Sequence, residues 1–212
     1  MIGSGKEADV YLCLYNGAPL AVKVYRMFRT SHKGGRPTKS DSFGWMAAQE
    51  FEMLHYMWKA GVRVPTPARR TENMFSMRWL GDENRPAPRL VDVELEDAAA
   101  FRDLLLDAVE RMALAGVVHT DLSAYNVLVH DELPWFIDLA EALRVDRLGS
   151  PPWFRLRESE AALERGMNAL QKYFRRMGAD FDAVEEASKV LRLIDKKGIL
   201  GERTAEPFGS AP

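Results

Sequence analysis

The stretch HTDLSAYN at residues 119–126 is the most specific pattern in the chain, and Asp138 follows it after a second apolar run, WFI. Asp121 precedes Asn126 by five positions, and Asn126 precedes Asp138 by twelve. An aspartate, an asparagine and a second aspartate at this spacing suit a base that accepts a hydroxyl proton and two oxygen ligands for Mg²⁺. The apolar runs on both sides predict short strands that hold the loops. The pattern predicts a phosphoryl-transfer site, and the competing interpretation is three unrelated polar surface residues.

The histidines do not suggest a metal site. No spacing among His32, His55 and His130 is typical of zinc ligands. His119 begins the central motif, where we expect a packed, hydrogen-bonded loop residue rather than a base or a ligand.

Upstream, residues 9–25 have the alternation and the turn of a β-hairpin. Asn16-Gly17 is the preferred two-residue turn between the strands. On the return strand, Ala21 and Lys23 share one face because side chains alternate with a period of two. A lysine in an otherwise apolar strand requires either an anionic partner or a place at the sheet edge. The residues of the strand do not decide between these two interpretations.

The partner for that lysine is predicted on the next helix, residues 43–59, which ends before Gly61. Glu50 has apolar residues one turn before and one turn after it, whereas Glu52 lies on a more polar face. A carboxylate on the apolar stripe needs a cation, and Lys23 is the candidate. The alternative is a glutamate at the edge of the stripe that reaches solvent.

The chain opens with GSGKEADV at residues 3–10, which leads directly into the first hairpin strand. Glycines lack Cβ, so backbone N–H groups can approach phosphate oxygens closely. A dinucleotide-binding fingerprint opens a helix, whereas this segment opens a hairpin, with Ala8 at the third glycine position and Val10 two residues later. This context favours a phosphate-binding loop over a simple turn.

The remainder of the chain changes from strands to helices. Strands are expected around residues 71–80, and helices at residues 97–115, along the stripe from Leu163 to Met177, and from Asp182 to Gly198. We therefore predict an α+β fold with a small β-rich lobe and a mainly helical lobe. The predicted bounds are residues 1–80 and 82–200 for the lobes, 1–200 for the single domain and 201–212 for a flexible tail.

The composition is that of an ordinary globular protein. The 212 residues are 47% hydrophobic and 28% charged, which excludes disordered and collagen-like classes. The net charge of -2 argues against nucleic-acid binding through overall charge. Cys13 is the single cysteine, which excludes an intrachain disulfide and suits a reducing, cytoplasmic setting. We expect neither a signal peptide nor a membrane span, because no apolar stretch approaches about 20 residues.

Together these motifs resemble the RIO family of atypical protein kinases, in the branch with an H-x-D-L-S-x-Y-N catalytic loop. The matching segments lie in family order and extend from residue 3 to residue 177. They are residues 5–11, 21–25, Glu50 with Leu54, 60–67, 86–90, 119–126 and 136–138.

The resemblance implies a compact, two-lobed, protein-kinase-like fold that binds ATP and Mg²⁺, or Mn²⁺ in its place, between the lobes. Asp121 is implied as the catalytic aspartate, with Asn126 and Asp138 as metal ligands. Lys23, paired with Glu50, is implied to contact the phosphates. The further implied nucleotide-binding residues are Gly3, Ser4, Gly5 and Lys6 over the phosphates, Val10 and Ala21 on the hairpin, and Met77, Trp79 and Leu80 at a hinge that meets adenine.

The same resemblance implies a kinase/ATPase that transfers the γ-phosphoryl group of ATP to serine or threonine, or to Asp138 itself, in ribosome maturation. Thr120 stands where protein kinases carry the arginine of H-R-D, so no guanidinium is there for an activation-loop phosphate. Leu139-Ala140-Glu141 follows Asp138 in place of F-G, and no A-P-E follows. These departures weigh against phosphorylation of other proteins more than against ATP hydrolysis.

Two further departures concern the small lobe and the catalytic loop. Only Met1 and Ile2 precede the glycine segment, so the first strand is expected to be nearly absent or to begin upstream. Ala124 occupies a position where many relatives carry an acid, which removes one carboxylate beside the catalytic loop.

Residues 26–39 form a basic tract without an acidic residue. Its basic residues are Arg26, Arg29, Lys33, Arg36 and Lys39. One interpretation is a solvated flexible loop. The other, in line with the family resemblance, is contact with the phosphates of rRNA in a pre-ribosomal particle.

Two other functions fit parts of the pattern. Aminoglycoside-type small-molecule phosphotransferases share H-x-D and the later metal-binding aspartate, but are not expected to carry the segments at residues 5–11 and 86–88. The second alternative is a non-catalytic, nucleotide-gated binding module, which is favoured if the short N-terminus disrupts the phosphate loop. ATP turnover distinguishes these interpretations.

Overall fold

The structure of the chain is a computed structural model. It describes residues 1–5, 7–26, 28–29, 38–39, 42–83, 85–145 and 152–196. Lys6, most of the basic tract at residues 26–39 and the predicted tail at residues 201–212 lie outside these ranges.

Strands dominate the first part of the chain and helices the last. The strands are β1 (Gly3–Ser4), β2 (Ala8–Tyr15), β3 (Ala18–Tyr25), β4 (Phe28–Arg29), β5 (Thr38–Lys39), β6 (Pro67–Thr71), β7 (Met74–Arg78), β8 (Val117–Val118), β9 (Val127–His130), β10 (Leu133–Phe136) and β11 (Leu143–Arg144). The helices are α1 (Ser42–Lys59), α2 (Ala98–Leu114), α3 (Pro152–Arg175) and α4 (Ala183–Lys196), with a 3₁₀ turn at Leu90–Asp92.

An antiparallel five-stranded sheet, in the order β1-β2-β3-β7-β6, forms the β-rich part. The predicted hairpin is confirmed: Asn16 and Gly17 both have positive φ, 50° and 79°, as its tight turn requires. The register pairs Val10 with Lys23, and both residues line the cleft described below. The turn therefore determines which side chains of the hairpin face the cleft.

Two features of this part differ from the prediction, and a third agrees with it. β6 begins at Pro67 rather than near residue 71, because a proline is tolerated at the first position of an edge strand. β4 pairs with β5, so the ends of a segment predicted as an irregular loop form a two-residue ladder. β1 has two residues, lies inside the glycine segment and pairs with β2, which agrees with the expectation that the first strand is nearly absent. Backbone ladders of two residues leave no side-chain periodicity in the sequence.

α1 lies against the sheet along one buried stripe. The stripe consists of Phe43, Ala47, Glu50, Leu54 and Met57, at spacings of three and four residues. The helix ends as predicted before Gly61, whose φ of 77° lets the N–H of Val62 bond to the carbonyl of Met57. Glu50 is buried and Glu52 is exposed, which confirms the predicted orientation of the helix.

The helical part has its own core, in which α2 packs against α3 and α4. α2 begins after Asp97, whose side chain accepts a hydrogen bond from the N–H of Ala100 at 2.9 Å. α3 approaches the 119–126 loop at Gly166, where a Cβ would lie 2.8 Å from the Cβ of Leu122. The glycine thus allows the helix to support the loop directly. Among the described residues, no helix has the length and apolar character to cross a membrane.

Candidate active site

A cleft of about 580 Å³ is lined by residues of both the sheet and the helical part. The predicted site residues that line it are Gly3, Ser4, Gly5, Val10, Ala21, Lys23, Glu50, Met77, Trp79, Leu80, Asn126 and Asp138. Asp121 is exposed at the edge of the cleft, next to Asn126, and is not part of its lining. Lys6 lies outside the described residues. The fold therefore brings residues from both ends of the predicted pattern into one cleft.

The ammonium group of Lys23 contacts two carboxylates. Its Nζ lies 2.7 Å from Oε1 of Glu50 and 2.9 Å from Oδ1 of Asp138. Burial disfavours the charged form, but the attraction of the two carboxylates outweighs burial and raises the pKa of Lys23 above its ordinary value. Lys23 is therefore a cation at neutral pH. The alternative of an edge-strand lysine is wrong, because β3 has a strand on each side.

The carboxylate of Glu50 is buried and accepts hydrogen bonds from three donors. Its Oε1 accepts from Lys23 Nζ and from the backbone N–H of Leu139 at 3.1 Å, and its Oε2 accepts from the hydroxyl of Tyr25. Burial and the neighbouring carboxylate raise the pKa of Tyr25, so the hydroxyl stays protonated and donates. The sequence motifs indicate neither the Tyr25 hydroxyl nor the Leu139 N–H as partners. The available signal for Tyr25 is its position two residues after Lys23, which places both on one strand face.

His119 joins the 119–126 loop to the residues that lead into Asp138. Its Nε2 lies 3.1 Å from the carbonyl oxygen of Ile137, and its Nδ1 accepts from the N–H of Asp121 at 3.3 Å. A neutral imidazole protonated on Nε2 satisfies both contacts. Burial lowers the pKa of His119, which maintains this form at neutral pH. The prediction of a packed, hydrogen-bonded loop histidine is confirmed.

Asn126 holds Asp121 in place through both hydrogens of its amide group. Nδ2 donates to the backbone oxygen and to Oδ2 of Asp121, each at 2.8 Å. Because both amide hydrogens are used in this way, the carboxamide oxygen of Asn126 is left for a cation. The same contact leaves Oδ1 of Asp121 as the oxygen that can accept a proton.

The donor set formed by Asn126 and Asp138 fits Mg²⁺. Both residues line the cleft, and the Asp138 side chain is 54% exposed. Hard oxygen donors suit Mg²⁺, which binds through one or two carboxylates and takes waters and phosphate oxygens as its other ligands. Within the part of the chain that the structure describes, no three His, Cys, Asp or Glu side chains are grouped to hold a metal ion. A cation held by Asn126 and Asp138 would take its other ligands from waters and phosphate oxygens.

Asp138 has a left-handed backbone, with φ of 60°. This conformation is uncommon in residues other than glycine and marks a position where the surrounding structure imposes it. The flanking contacts are the hydrogen bond from the Ile137 N–H to the Asn126 carbonyl and the one from the Leu139 N–H to Glu50. Asp138 is thus held from both sides while its carboxylate stays accessible.

Arg26 stabilises the glycine segment from the end of β3. Its Nη2 lies 2.6 Å from Oδ1 of Asp9 and 2.7 Å from Oγ of Ser4, and Ser4 Oγ donates to Asp9 Oδ1 at 2.7 Å. The hydrogen bonds from Arg26 and Ser4 lower the pKa of Asp9 to about 2. The three side chains connect β1, β2 and the end of β3, so they limit the movement of the glycine segment. Arg26 begins the basic tract but is engaged within the protein.

The predicted hinge connects β7 to the helical part. Met77 pairs with Ala21 across β7 and β3, and Trp79 and Leu80 are buried. The N–H of Ala87 donates to the carbonyl of Leu80 at 2.9 Å, so the hinge is held against residues 86–89. Residues 86–89 also line the cleft, and the first three of them, Pro86, Ala87 and Pro88, give the hinge side an apolar surface.

Comparison with known proteins shows the family of the chain. A family model described as "RIO domain" matches residues 9–187. The chain belongs to the RIO family. The match covers well over half of the 212 residues and confirms the resemblance that the sequence motifs predict.

Curated RIO proteins match over most of the chain. This RIO domain is 31% identical over 195 residues to the RIO-type serine/threonine-protein kinase Rio1 of Haloferax volcanii, covering 85% of the chain and 64% of that protein. It is 31% identical over 149 residues to the RIO-type serine/threonine-protein kinase Rio1 of Thermoplasma acidophilum, covering 70% of the chain and 72% of that protein. The chain thus spans less than two thirds of the length of the Haloferax protein.

Solved structures confirm the fold of this RIO domain. The crystal structure of the Rio2 kinase from Chaetomium thermophilum matches with a TM-score of 0.73 at 20% identity, over 94% of this chain and 63% of that one. A second structure, described as the Rio2 kinase-ADP/Mg2+-phosphoaspartate complex from the same organism, matches with a TM-score of 0.66 at 18% identity, over 93% of this chain and 65% of that one. The likeness confirms the predicted α+β, two-lobed, protein-kinase-like fold.

Two residues that depart from the expected kinase patterns, Thr120 from ordinary protein kinases and Ala124 from many relatives in the family, make contacts within this RIO domain. Thr120, at the arginine position of H-R-D, donates from Oγ1 to the carbonyl of Glu141 at 2.8 Å. Ala124 is buried, and its carbonyl accepts the N–H of Val91 at 3.1 Å. Thr120 therefore forms a neutral contact between the 119–126 loop and the residues after Asp138.

Proposed function

We propose that this RIO domain is an ATP-dependent kinase and ATPase that uses Mg²⁺. It transfers the γ-phosphoryl group of ATP to a serine or threonine hydroxyl, or to its own Asp138. The observation that carries the proposal is the single cleft in which Lys23, Glu50, Asn126 and Asp138 meet the glycine segment. The names of the curated relatives support the same activity.

In this proposal, Lys23 binds phosphate oxygens. Its ammonium is charged and is held by the buried carboxylate of Glu50, so its position is determined before the nucleotide binds. Backbone N–H groups of the glycine segment supply further donors, and the exposed Gly3, Ser4 and Gly5 line the cleft beside them. Preorganised donors of this kind stabilise charge that develops on the transferred group.

Asp121 accepts the proton of the attacking hydroxyl. Its exposed carboxylate lies at the edge of the cleft, and Asn126 holds one of its two oxygens. The other oxygen is available to the hydroxyl group, which loses its proton as its oxygen bonds to the γ-phosphorus and ADP leaves.

Asn126 and Asp138 hold Mg²⁺ in this proposal. The ion neutralises charge on the phosphate groups when it is bound. Lys23 contacts Asp138 as well as Glu50, so it also holds the Asp138 carboxylate near the phosphates.

Asp138 is the proposed acceptor in the ATPase cycle. An oxygen of its carboxylate bonds to the γ-phosphorus, the bond from that phosphorus to the β–γ bridging oxygen breaks, and ADP leaves. Water then hydrolyses the acyl phosphate and returns Asp138 as a carboxylate with inorganic phosphate. The support is the exposure of the Asp138 side chain in the cleft and the description of a Rio2 structure as a phosphoaspartate complex.

The test is incubation with ATP labelled at the γ-phosphate, comparing the wild type with Asp121→Ala and Asp138→Ala. We expect ATP turnover in the wild type, strong loss in both variants, and alkali-labile label on the protein that Asp138→Ala abolishes. Asp107→Ala, an exposed aspartate on α2, is the matched control and should behave as the wild type. Absence of ATP binding would support a non-catalytic module. Rapid phosphorylation of an antibiotic or sugar without self-labelling would support an aminoglycoside-type phosphotransferase.

We further propose that residues 1–200 form one RIO kinase domain with lobes at residues 1–80 and 82–200. The support is the family match over residues 9–187 and the position of Gly81 between β7 and the helical part.

A cytoplasmic location is proposed because Cys13 is an exposed free thiol, which suits a reducing compartment. Cell fractionation with an antibody to the chain tests this location.

The basic tract at residues 26–39 is proposed to contact rRNA phosphates of a pre-ribosomal particle. The proposal rests on the sequence, since most of the tract lies outside the described residues. Reversing the charges of Lys33, Arg36 and Lys39 should flatten the dependence of RNA binding on salt concentration. An unchanged slope would contradict the proposal.

A further inference from the structure

α1 carries Glu50 and is attached to the helical part at a second point, Tyr56. The hydroxyl of Tyr56 donates to the carbonyl oxygen of Ala115 at 2.8 Å. Ala115 is the C-terminal cap residue of α2, so the acceptor belongs to an element of the helical core. A hydrogen bond across the two parts of the molecule therefore attaches the C-terminal half of α1.

Arg144 contacts the same tyrosine from the segment that follows Asp138. Its Cζ lies 3.9 Å from the centroid of the Tyr56 ring, which is the distance of a guanidinium stacked on an aromatic face. Arg144 lies in β11, which pairs with β8, and the N–H of Val145 donates to the carbonyl of Gly116 at 2.9 Å. Tyr56 is thus in contact with both the end of α2 and β11.

The residues after Asp138 contact α1 at two positions. Near their start, the N–H of Leu139 donates to Glu50, and near their end, Arg144 stacks on Tyr56. Glu50 and Tyr56 are six residues apart on α1, a separation of about 9 Å along the helix axis. Contacts at two separated points restrict both the translation and the rotation of a helix, whereas one contact leaves it free to pivot.

We propose that Tyr56 and Arg144 are positioning residues that keep α1, and with it Glu50, in contact with Lys23 when no nucleotide is bound. Thr120 leaves the catalytic loop without the guanidinium that would respond to a phosphate, and its hydroxyl instead bonds to Glu141 in the same segment. The contacts of α1 with Leu139, Arg144 and Ala115 are made by side-chain and backbone groups of the protein and need no phosphate group. The effect on catalysis rests on the proposed function, whereas the effect on α1 does not.

The contact between Arg144 and Tyr56 is independent of pH in the physiological range, because a guanidinium does not lose its proton there.

Tyr56 lies on the same helix as Glu50 but contacts neither Lys23 nor Asp138 in the structure, so it acts through the position of α1. A residue of this kind should change the binding of ATP more than the rate of the chemical step, since Lys23 is the phosphate contact that it helps to place.

The test combines hydrogen exchange of the nucleotide-free protein with ATP kinetics. Tyr56→Phe removes the hydroxyl and keeps the ring, and Tyr173→Phe is the matched control because its hydroxyl also donates to a backbone carbonyl, that of Leu90 at 2.7 Å. We expect Tyr56→Phe to speed exchange of the α1 amides and of the Leu139 N–H by about fivefold, as loss of one hydrogen bond implies. The KM for ATP should rise by a similar factor with kcat nearly unchanged. Tyr173→Phe should change neither quantity.

A double-mutant cycle tests the role of Arg144. If Arg144 acts through Tyr56, Arg144→Gln should speed α1 exchange in the wild type and have no further effect in Tyr56→Leu. Equal exchange of α1 in Tyr56→Phe and Tyr173→Phe, or additive effects in the cycle, would overturn the proposal. A wild type without ATP turnover would contradict the proposed function instead, and the exchange measurements would still decide whether Tyr56 and Arg144 hold α1.

Discussion

At its buried end, the cleft contains the Glu50 carboxylate, whose two oxygens accept hydrogen bonds from three donors. At its mouth, Asp121 and Asp138 are exposed, and among the described residues each has one side-chain hydrogen-bond partner, Asn126 and Lys23 respectively. A buried charge is costly unless it is fully paired, whereas an exposed carboxylate is solvated and can exchange water for substrate. Mutations at the buried end should therefore lower the free energy of unfolding, whereas mutations at the mouth should lower ATP turnover.

The largest expected effect is at the mouth. Asp121→Asn keeps an oxygen for the Asn126 amide but removes the proton acceptor, so ATP turnover should fall by about a thousandfold. The free energy of unfolding should stay within about 0.5 kcal/mol of the wild type, because the side chain is exposed. Turnover assays and urea unfolding measure the two quantities, with Asp107→Asn as the control. A large loss of stability would contradict the distinction between mouth and buried end.

Glu50→Gln probes the buried end. Removing the carboxylate leaves Lys23 with Asp138 alone, and breaking a buried ion pair from one side lowers the free energy of unfolding by about 3 kcal/mol. The matched control is Glu52→Gln on the same helix, which is exposed and should cost less than about 0.5 kcal/mol. Equal stability of the two variants in urea unfolding would show that the Lys23–Glu50 pair does not hold the cleft together.

Tyr25→Phe tests how much one of the three donors to the buried Glu50 carboxylate contributes to stability. The variant removes the donor to Oε2 of Glu50, and a hydrogen bond to a charged group contributes about 2 kcal/mol. Thermal or urea unfolding of Tyr25→Phe measures the loss, with Tyr11→Phe, an exposed tyrosine of the same hairpin, as the control. In the Glu50→Gln background the loss should shrink, since the two groups share one interaction. Full additivity would argue against the contact.

The smallest expected effect concerns pH. The pKa of His119 is lowered in the folded state, so below the unfolded-state value of 6.5 the unfolded chain binds a proton that the folded chain does not. Stability should therefore fall as pH decreases from 7 to 5.5, by at most about 1.4 kcal/mol per pH unit from this group. Urea unfolding across this range should show a shallower slope for His119→Asn than for the wild type. Identical slopes would mean that His119 titrates normally in the folded protein.

Much of the fold follows from local sequence features. Asn16-Gly17 has the backbone conformation that its turn requires, and α1 ends before Gly61 as expected. The pairing of Lys23 with Glu50 also follows, because strand and helix periodicity each placed a charged group on a buried face. The two-residue ladder of β4 and β5 does not, since backbone hydrogen bonds carry no side-chain signature. The catalytic and metal-binding roles of Asp121, Asn126 and Asp138 stay predictions.

The amino-acid sequence by itself determined the charged groups, their order and the strand or helix face on which each lies, because these depend on neighbours within a few residues. Only the tertiary structure decided that Leu139, 89 positions from Glu50, supplies its third donor, and that Asp138, 115 positions from Lys23, shares its ammonium. It also decided that Tyr56 meets Ala115 and Arg144. The physical reason is that desolvation and hydrogen-bond geometry arise only when distant segments close around a common cleft.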